Sequence, residues 1–341
     1  MLKENLFHVV SLVAVLIAIM ALPLSSVAEE SDYSGGELTI GGRAGESGYS
    51  QGFVDVLYPI FQLDNGMFFI NPRGTLGEGS RQEGNLGLGY RHLIPDSKLI
   101  LGCNIYYDTH WSINDNRFDQ LGFGLEALSE WVDARFNYYL PESDTKSTDS
   151  EPAMWTDPYA AENSIVQEYY GVVERARKGY DAEIGVKLPY LDRWADVRTF
   201  VGYQKFQSEF SGGQDMEGWK GRLEVRVSPA LTFDAEVFEN DEMYGTDYYV
   251  GARVSVPFNL GNIFAGRNPF EGAAHAFTHK PERAFADRMT EMVIRDQYVQ
   301  LEADIGGPSS EVTVLDGVMF VDNQNGNSDG SAEDPFDSIQ T

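Results

Sequence analysis

The sequence predicts an all-β fold, a twelve-stranded antiparallel transmembrane β-barrel with a C-terminal linker threading the pore. Three observations lead there. From Leu38 to Phe258 apolar and polar residues alternate with period two, the period at which strand side chains change face. The links between the alternating segments run long, short, long, short, as they do in barrels with tight turns at one membrane surface and loops at the other. After Ala28 no uninterrupted apolar run approaches the ~20 residues of a spanning helix, so the mature chain is either soluble or crosses a membrane as a closed barrel.

Taken in order, strands are expected near 37–45, 51–62, 66–76, 83–94, 98–109, 117–128, 130–140, 174–189, 196–209, 217–228, 230–239 and 247–258. In Leu99–Asp108 the residues Leu99, Leu101, Cys103, Ile105 and Tyr107 share one face, and Gly102, Asn104 and Asp108 the other. Val132, Ala134, Phe136, Tyr138 and Leu140 oppose Asp133, Arg135, Asn137 and Tyr139 in the same way, and Tyr180, Ala182, Ile184, Val186 and Leu188 oppose Asp181, Glu183 and Lys187. Charges of both signs opposite a greasy face suit a wall with lipid outside and a wet, salt-bridged lumen inside. The expected lumen-facing residues are Arg91, Asn104, Asp108, Glu126, Asp133, Arg135, Asp181, Glu183, Lys187, Arg222, Glu224 and Arg226. Those expected to meet outer-membrane lipid are Leu99, Leu101, Ile105, Val132, Phe136, Ile184, Val225 and Val254.

The first 28 residues have the layout of a secretory signal peptide: Lys3, an apolar stretch Val9–Leu22, a break at Pro23, and Ser26-Val27-Ala28 before two glutamates. An uncleaved anchor is the rival reading, with an apolar core shorter than a span requires. Residues 29–36 form a short spacer, 37–258 the barrel, 259–310 a linker, and 311–341 the start of something else. A single cysteine, Cys103, excludes an intramolecular disulfide framework. A net charge of −28 argues against nucleic acid as a partner. The 13% aromatic content and 35 glycines fit a barrel with interfacial aromatic bands and crowded lumen positions.

The longest link, Glu142 to about Val173, is polar and Pro-bearing and is expected to be exposed and mobile, with Trp155 and Tyr159 as loop-packing residues. An even strand count returns the chain after Phe258 to the side on which the barrel began. Anything beyond it that reaches the other side must come back through the lumen, and Asn259–Ser310 is long enough to do so either as helix or as extended chain, with 281–304 reading as a helix and then an extended piece. Asp287, Arg288, Glu291, Arg295 and Asp296 would then meet the charges of the wall. An ordinary periplasmic tail is the alternative.

Chemistry-bearing motifs are sparse. His275 and His279 share a helical spacing without a third ligand nearby, and the run Asn325–Gly330 begins like a calcium loop but has Phe336 at its twelfth position. Gly87-Leu88-Gly89 lies inside a strand, where glycine relieves crowding. Glu126, Asp133, Asp181 and Glu183 read better as wall charges balanced by Arg91, Arg135 and Lys187 than as a glycosidase pair. No catalytic residue, cofactor or metal is assigned, and no enzymatic activity is expected.

Gly87-Leu88-Gly89-Tyr90-Arg91-His92, the strand end Asn104–Asp108, Leu121-Gly122-Phe123-Gly124, Asn137-Tyr138-Tyr139-Leu140-Pro141 and Gly179-Tyr180-Asp181 together resemble the barrel domain of inverse autotransporters, the intimin and invasin class. The similarity covers about residues 37–300. It implies an outer-membrane translocator and anchor whose linker, here Arg288–Gln300, threads the pore and holds an exported, commonly adhesive passenger. It also implies the barrel-assembly machinery and periplasmic chaperones as partners, with a host or cell-surface ligand only if a passenger exists. The sequence leaves no room before Leu38 for the peptidoglycan-binding module of some members. The tail 318–341 resembles the opening of a right-handed parallel β-helix, so a truncated passenger is expected, or a disordered acidic end. A porin-like channel and a secreted β-helix carbohydrate-active enzyme are the competing functions.

Overall fold

The computed structural model describes residues 35–45, 50–142, 144–148, 154–240, 245–271, 273–278, 285–296, 298–321 and 331–332. The signal peptide, most of the 29–36 spacer, His279, and the Asn325–Gly330 run lie outside the described residues. Most of the β-helix-like tail lies outside them too.

The first strands are β1 (Gly36–Gly45), β2 (Gln51–Leu63), β3 (Gly66–Gly77), β4 (Gln82–Ile94), β5 (Leu99–Trp111), β6 (Arg117–Ser129) and β7 (Val132–Pro141). Four follow in the link that was expected to be irregular: β8 (Lys146–Ser147), β9 (Met154–Trp155), β10 (Tyr159–Ala161) and β11 (Ser164–Ala176). Then come β12 (Lys178–Lys187), β13 (Asp196–Gln207), β14 (Met216–Arg226), β15 (Leu231–Asn240), β16 (Gly245–Phe258) and β17 (Leu301–Asp316).

Two compact units result. The first comprises the described residues of 1–113, 117–142 and 177–300, and the second those of 114–116, 143–176 and 301–341. In the first, β1–β7 and β12–β16 close into a twelve-stranded barrel, with every neighbouring pair antiparallel. Gly36 pairs with Phe258, so the chain enters and leaves at the same rim. The turns between β2 and β3, β4 and β5, β6 and β7, β12 and β13, and β14 and β15 lie at that rim, and the remaining links at the opposite one. Length does not divide the two sets strictly, because a 3-10 turn at Pro189–Leu191 makes the β12–β13 link longer than the β3–β4 link.

Burial alternates residue by residue: β7 reads exposed, buried, exposed, buried from Val132 to Leu140, and β6 alternates likewise from Gln120 to Glu126. The twelve barrel strands fall within a few residues of the sequence expectation. The largest displacement is the eighth, which begins at Lys178 and not at 174 because residues 164–176 form a separate strand. In the second unit β11 is the spine, pairing antiparallel with β17 from Ser164↔Asp316 to Ala176↔Leu301, and with β8, β9 and β10 on its other side. Trp155 packs on Tyr169 at 5.3 Å, and the Tyr159 hydroxyl donates to Glu168 at 2.7 Å.

Close packing inside the barrel makes one substitution instructive. A Cβ at Gly89 would run into the Phe69 ring, which is itself buried. Gly89→Trp is expected to block assembly. Leu101→Asp, on the exposed face of β5, is expected to impair assembly if that face meets hydrocarbon, at a depth-dependent cost below the roughly 2–4 kcal/mol of a Lys or Arg at the midplane. Yields of heat-modifiable protein in purified outer membranes check both, and normal yields would contradict the assigned faces.

Candidate functional site

The barrel interior is the only large assembly of buried charge among the described residues, and a segment of the chain itself lies within it. Residues 285–300 were expected to begin as a helix. They form a short 3-10 turn, Phe285–Thr290, and then an extended run without regular structure. An extended chain away from water leaves its peptide groups without the partners a helix supplies, so the surrounding side chains must serve instead.

They do so along its length. Arg91 donates from Nη1 to the carbonyls of Met289 at 2.9 Å and Glu291 at 2.6 Å, while its Nε and Nη2 grip Glu126 at 2.5 and 3.1 Å. Arg73, held by Asp55 at 2.8 Å, donates to the Val293 carbonyl at 2.9 Å, and Asn137 reaches the Ile294 carbonyl at 3.3 Å. The amide of Asp296 donates to the Tyr139 hydroxyl at 2.8 Å, and that of Val299 to Glu83 at 2.9 Å. At the far end the Arg177 amide donates to the Gln300 carbonyl at 2.8 Å.

Side chains of the segment add two forked ion pairs, a geometry in which guanidinium and carboxylate share two parallel bonds. Arg288 meets Asp133 at 2.9 and 2.8 Å and also donates to the Ser129 carbonyl at 2.5 Å. Arg295 meets Asp108 at 2.6 Å through both nitrogens and lies over the Tyr106 ring at 4.3 Å. Glu291 bridges Arg288 at 2.9 Å and Arg226 at 3.3 Å. Of the five charges expected to meet the wall, Arg288, Glu291 and Arg295 are buried and Asp296 is half-buried, whereas Asp287 is exposed.

The contacts progress from rim to rim. Arg288 touches the β6–β7 turn, at the rim where the chain enters, and Val299 touches Glu83 near the start of β4, at the other. Between them Met289 and Val293 sit in an apolar cluster with Leu57, Met67, Phe69, Ile100, Tyr106 and Leu128. Each gains roughly 1.5–3 kcal/mol by leaving water. This is where the interior departs from the wet, salt-bridged lumen expected from the sequence. The signal was present: Met67–Ile70 and Leu99–Ile100–Leu101 are unbroken apolar runs, the mark of a strand buried on both faces.

The remaining interior charges form a connected network. Glu183 accepts from Arg135 at 2.8 Å and Arg222 at 2.6 Å, Arg222 reaches Glu224 at 3.1 Å, and Glu224 accepts from Arg253 at 2.7 Å. Asp181 takes the Tyr139 hydroxyl at 2.6 Å and Lys220 at 3.3 Å. The four carboxylates considered for glycoside chemistry are thus each engaged by a cation. Asn104 and Arg226 are half-buried, and Lys187 lies near the entry rim, paired with Asp192 at 3.1 Å. Leu101, Ile105, Val132, Phe136, Ile184 and Val254 are exposed, and Leu99 and Val225 are half-buried. Beside the segment remains a small polar cavity of about 80 Å³, its lining including Arg43, Lys220, Arg222, Glu236 and Tyr249.

Among the described residues no group of three or more His, Cys, Asp or Glu side chains is placed to hold a metal ion. His110 is buried and bonded to Glu83 at 3.0 Å, and His275 lies in the short helix Ala273–Ala276.

A closed twelve-stranded antiparallel barrel, charged within and apolar without, is an outer-membrane β-barrel. The family model described as the inverse autotransporter beta-domain matches residues 29–288, and the chain belongs to that family, one of translocators and not of enzymes. Among solved structures, a chain described as "Unveiling the Mechanism Behind the in-meso Crystallization of Membrane Proteins" is similar with a TM-score of 0.58 at 16% identity. That match covers 79% of this chain and 100% of that one. The KdgM porin in complex with disordered oligogalacturonate is a weaker match, with a TM-score of 0.39 at 10% identity over 64% of this chain and 98% of that one. The Acinetobacter baumannii outer membrane protein Omp33 has a TM-score of 0.35 at 10% identity over 65% and 97%. No curated protein matches the chain.

Proposed function

We propose that the protein is the translocator and outer-membrane anchor for the part of its own chain that follows the barrel, with residues 285–300 as a linker threading the pore. The observation that carries the reading is the rim-to-rim series of backbone contacts from Arg288 to Gln300. The ten residues 291–300, at ~3.3 Å each when extended, span roughly 33 Å, enough to cross the ~30 Å hydrocarbon core. The exposed apolar side chains, Leu101 and Phe136 among them, would face lipid, and the buried charges would line the bore. Export through residues 1–28 acting as a signal peptide, insertion by the barrel-assembly machinery with periplasmic chaperones, and an adhesin-like passenger belong to the same reading.

An epitope appended after Thr341 tests it. Antibody is expected to label intact cells expressing the tagged chain, and labelling only after permeabilisation would overturn the proposal. The polar cavity beside the linker favours a second reading, a porin-like channel, which the conductance experiment argued below separates from the first.

A further inference from the structure

We propose that the sheet inserted between β7 and β12 is a cap on which the chain beyond β17 begins to fold, and that its partner is the segment starting at Val318. This deepens the translocator reading and rests on it, because a cap is of use only if that segment is displayed.

The site is the tip of the β10–β11 hairpin. Glu162 takes a left-handed backbone with φ of 47°, and its carbonyl and that of Asn163 each accept a bond from the tail. The amide of Val318 donates to the Asn163 carbonyl at 2.7 Å, and the Asn163 side-chain amide returns a bond to the Val318 carbonyl at 3.1 Å. The amide of Ala332 donates to the Glu162 carbonyl at 2.7 Å. Two passes of the chain are therefore received on consecutive carbonyls of one turn, as successive layers would be. The turn that delivers the first pass is built for it. Gly317 has φ of 71°, which a side chain would disfavour, and Asp316 holds the Gly317 amide at 2.8 Å while accepting the Ser164 hydroxyl at 3.1 Å.

The neighbouring surface is suited to a strand. β17 is the edge of its sheet, and its distal half exposes Val312, Val314 and Leu315, followed by Met319 and Val321. A long apolar edge is a template for strand addition. A segment tethered through Gly317 reaches that edge at high effective concentration, ahead of any partner in solution. A first layer that cannot bury its own face alone would gain from the sheet the neighbour it lacks.

Hydrogen exchange on the purified full chain in detergent micelles is the test. Val318→Pro removes the donor to Asn163, and a second variant replaces Tyr159–Asn163 with a Gly-Ser turn. Exchange across 312–332 is expected to quicken about tenfold or more in both, with barrel amides and heat-modifiable migration unchanged. Equal rates in the full chain and Val318→Pro would overturn the proposal, and Val318→Pro carries this result alone should the turn replacement fail to fold. Protection that rises with protein concentration would overturn it too, assigning the surface to a second copy. The epitope experiment stands apart: surface labelling with unchanged exchange rejects the cap and keeps the translocator, whereas absent labelling rejects both.

Discussion

A chain ended after Thr278 is expected to behave in planar bilayers as a steadily open channel, with a conductance roughly tenfold or more above that of the full chain, because an unplugged barrel of this size encloses water. The truncation keeps the twelve strands and the helix Ala273–Ala276, whose Ala276 carbonyl accepts the Ala230 amide at 2.9 Å, so the wall has what it needs to close. What it removes is the partner of Arg91, Arg73, Asp133 and Asp108. In the full chain the cavity beside the segment is only about 80 Å³, room for a few waters, so any residual conductance is expected to be small. Equal conductance in the two chains would mean that residues 285–300 do not obstruct the bore, and the porin-like reading would then stand.

The manner in which the wall holds the linker bears on that result. Many of its contacts go to peptide carbonyls and amides, which every residue but proline carries in full, while the two arginine forks, the Glu291–Arg226 pair and the Met289–Val293 contact depend on the segment's own side chains. Backbone contacts make the bore hospitable to extended chain in general. The forks fix where that chain comes to rest. Buried ion pairs contribute little net stability after desolvation, but leaving one partner alone is costly, so a one-residue slip of Arg288 and Arg295 away from Asp133 and Asp108 is strongly disfavoured.

Much of this architecture was legible because a barrel wall has a one-dimensional code. Alternation placed the twelve strands, and the charges on the minority face, such as Asp133 and Glu183, are buried where the period puts them. The apolar cluster around Ile100 and Tyr106 was hidden because it interrupts the code: both faces of those strand segments are apolar, one toward the outside and one toward Met289. The loop sheet escaped for a different reason. β11 is recognisable as a strand only through its partner β17, which lies far along the chain, and the polar, proline-bearing stretch before it reads locally as an irregular loop. Strand parity suggested a return through the lumen and left helix and extended chain both open; the described residues of 291–300 carry no regular structure and bond to wall side chains through their backbone. The 285–296 segment has helical spacing in its charges, and the competition was decided by wall donors that replace the helix's own hydrogen bonds.

Arg295→Met is expected to be the most disruptive single change in the linker. Asp108 is fully buried and would keep only neutral donors, Asn85 at 2.7 Å and Gln120 at 3.2 Å, so its charge would be left without a cation at a cost of about 3–5 kcal/mol. That cost has an outlet: the linker can leave the bore and let water reach the carboxylate. The variant should therefore show frequent large opening events before it shows loss of the barrel in urea. Asp108→Asn combined with Arg295→Met removes both charges together and is expected to cost less than Arg295→Met alone. Lys98→Ala serves as the contrast. It breaks the exposed Lys98–Glu130 pair, 2.9 Å apart, and should change stability by no more than ~0.5 kcal/mol. Additive effects of Asp108→Asn and Arg295→Met, in both unfolding and conductance, would show that the two residues do not hold one another, and the linker's register would need another origin.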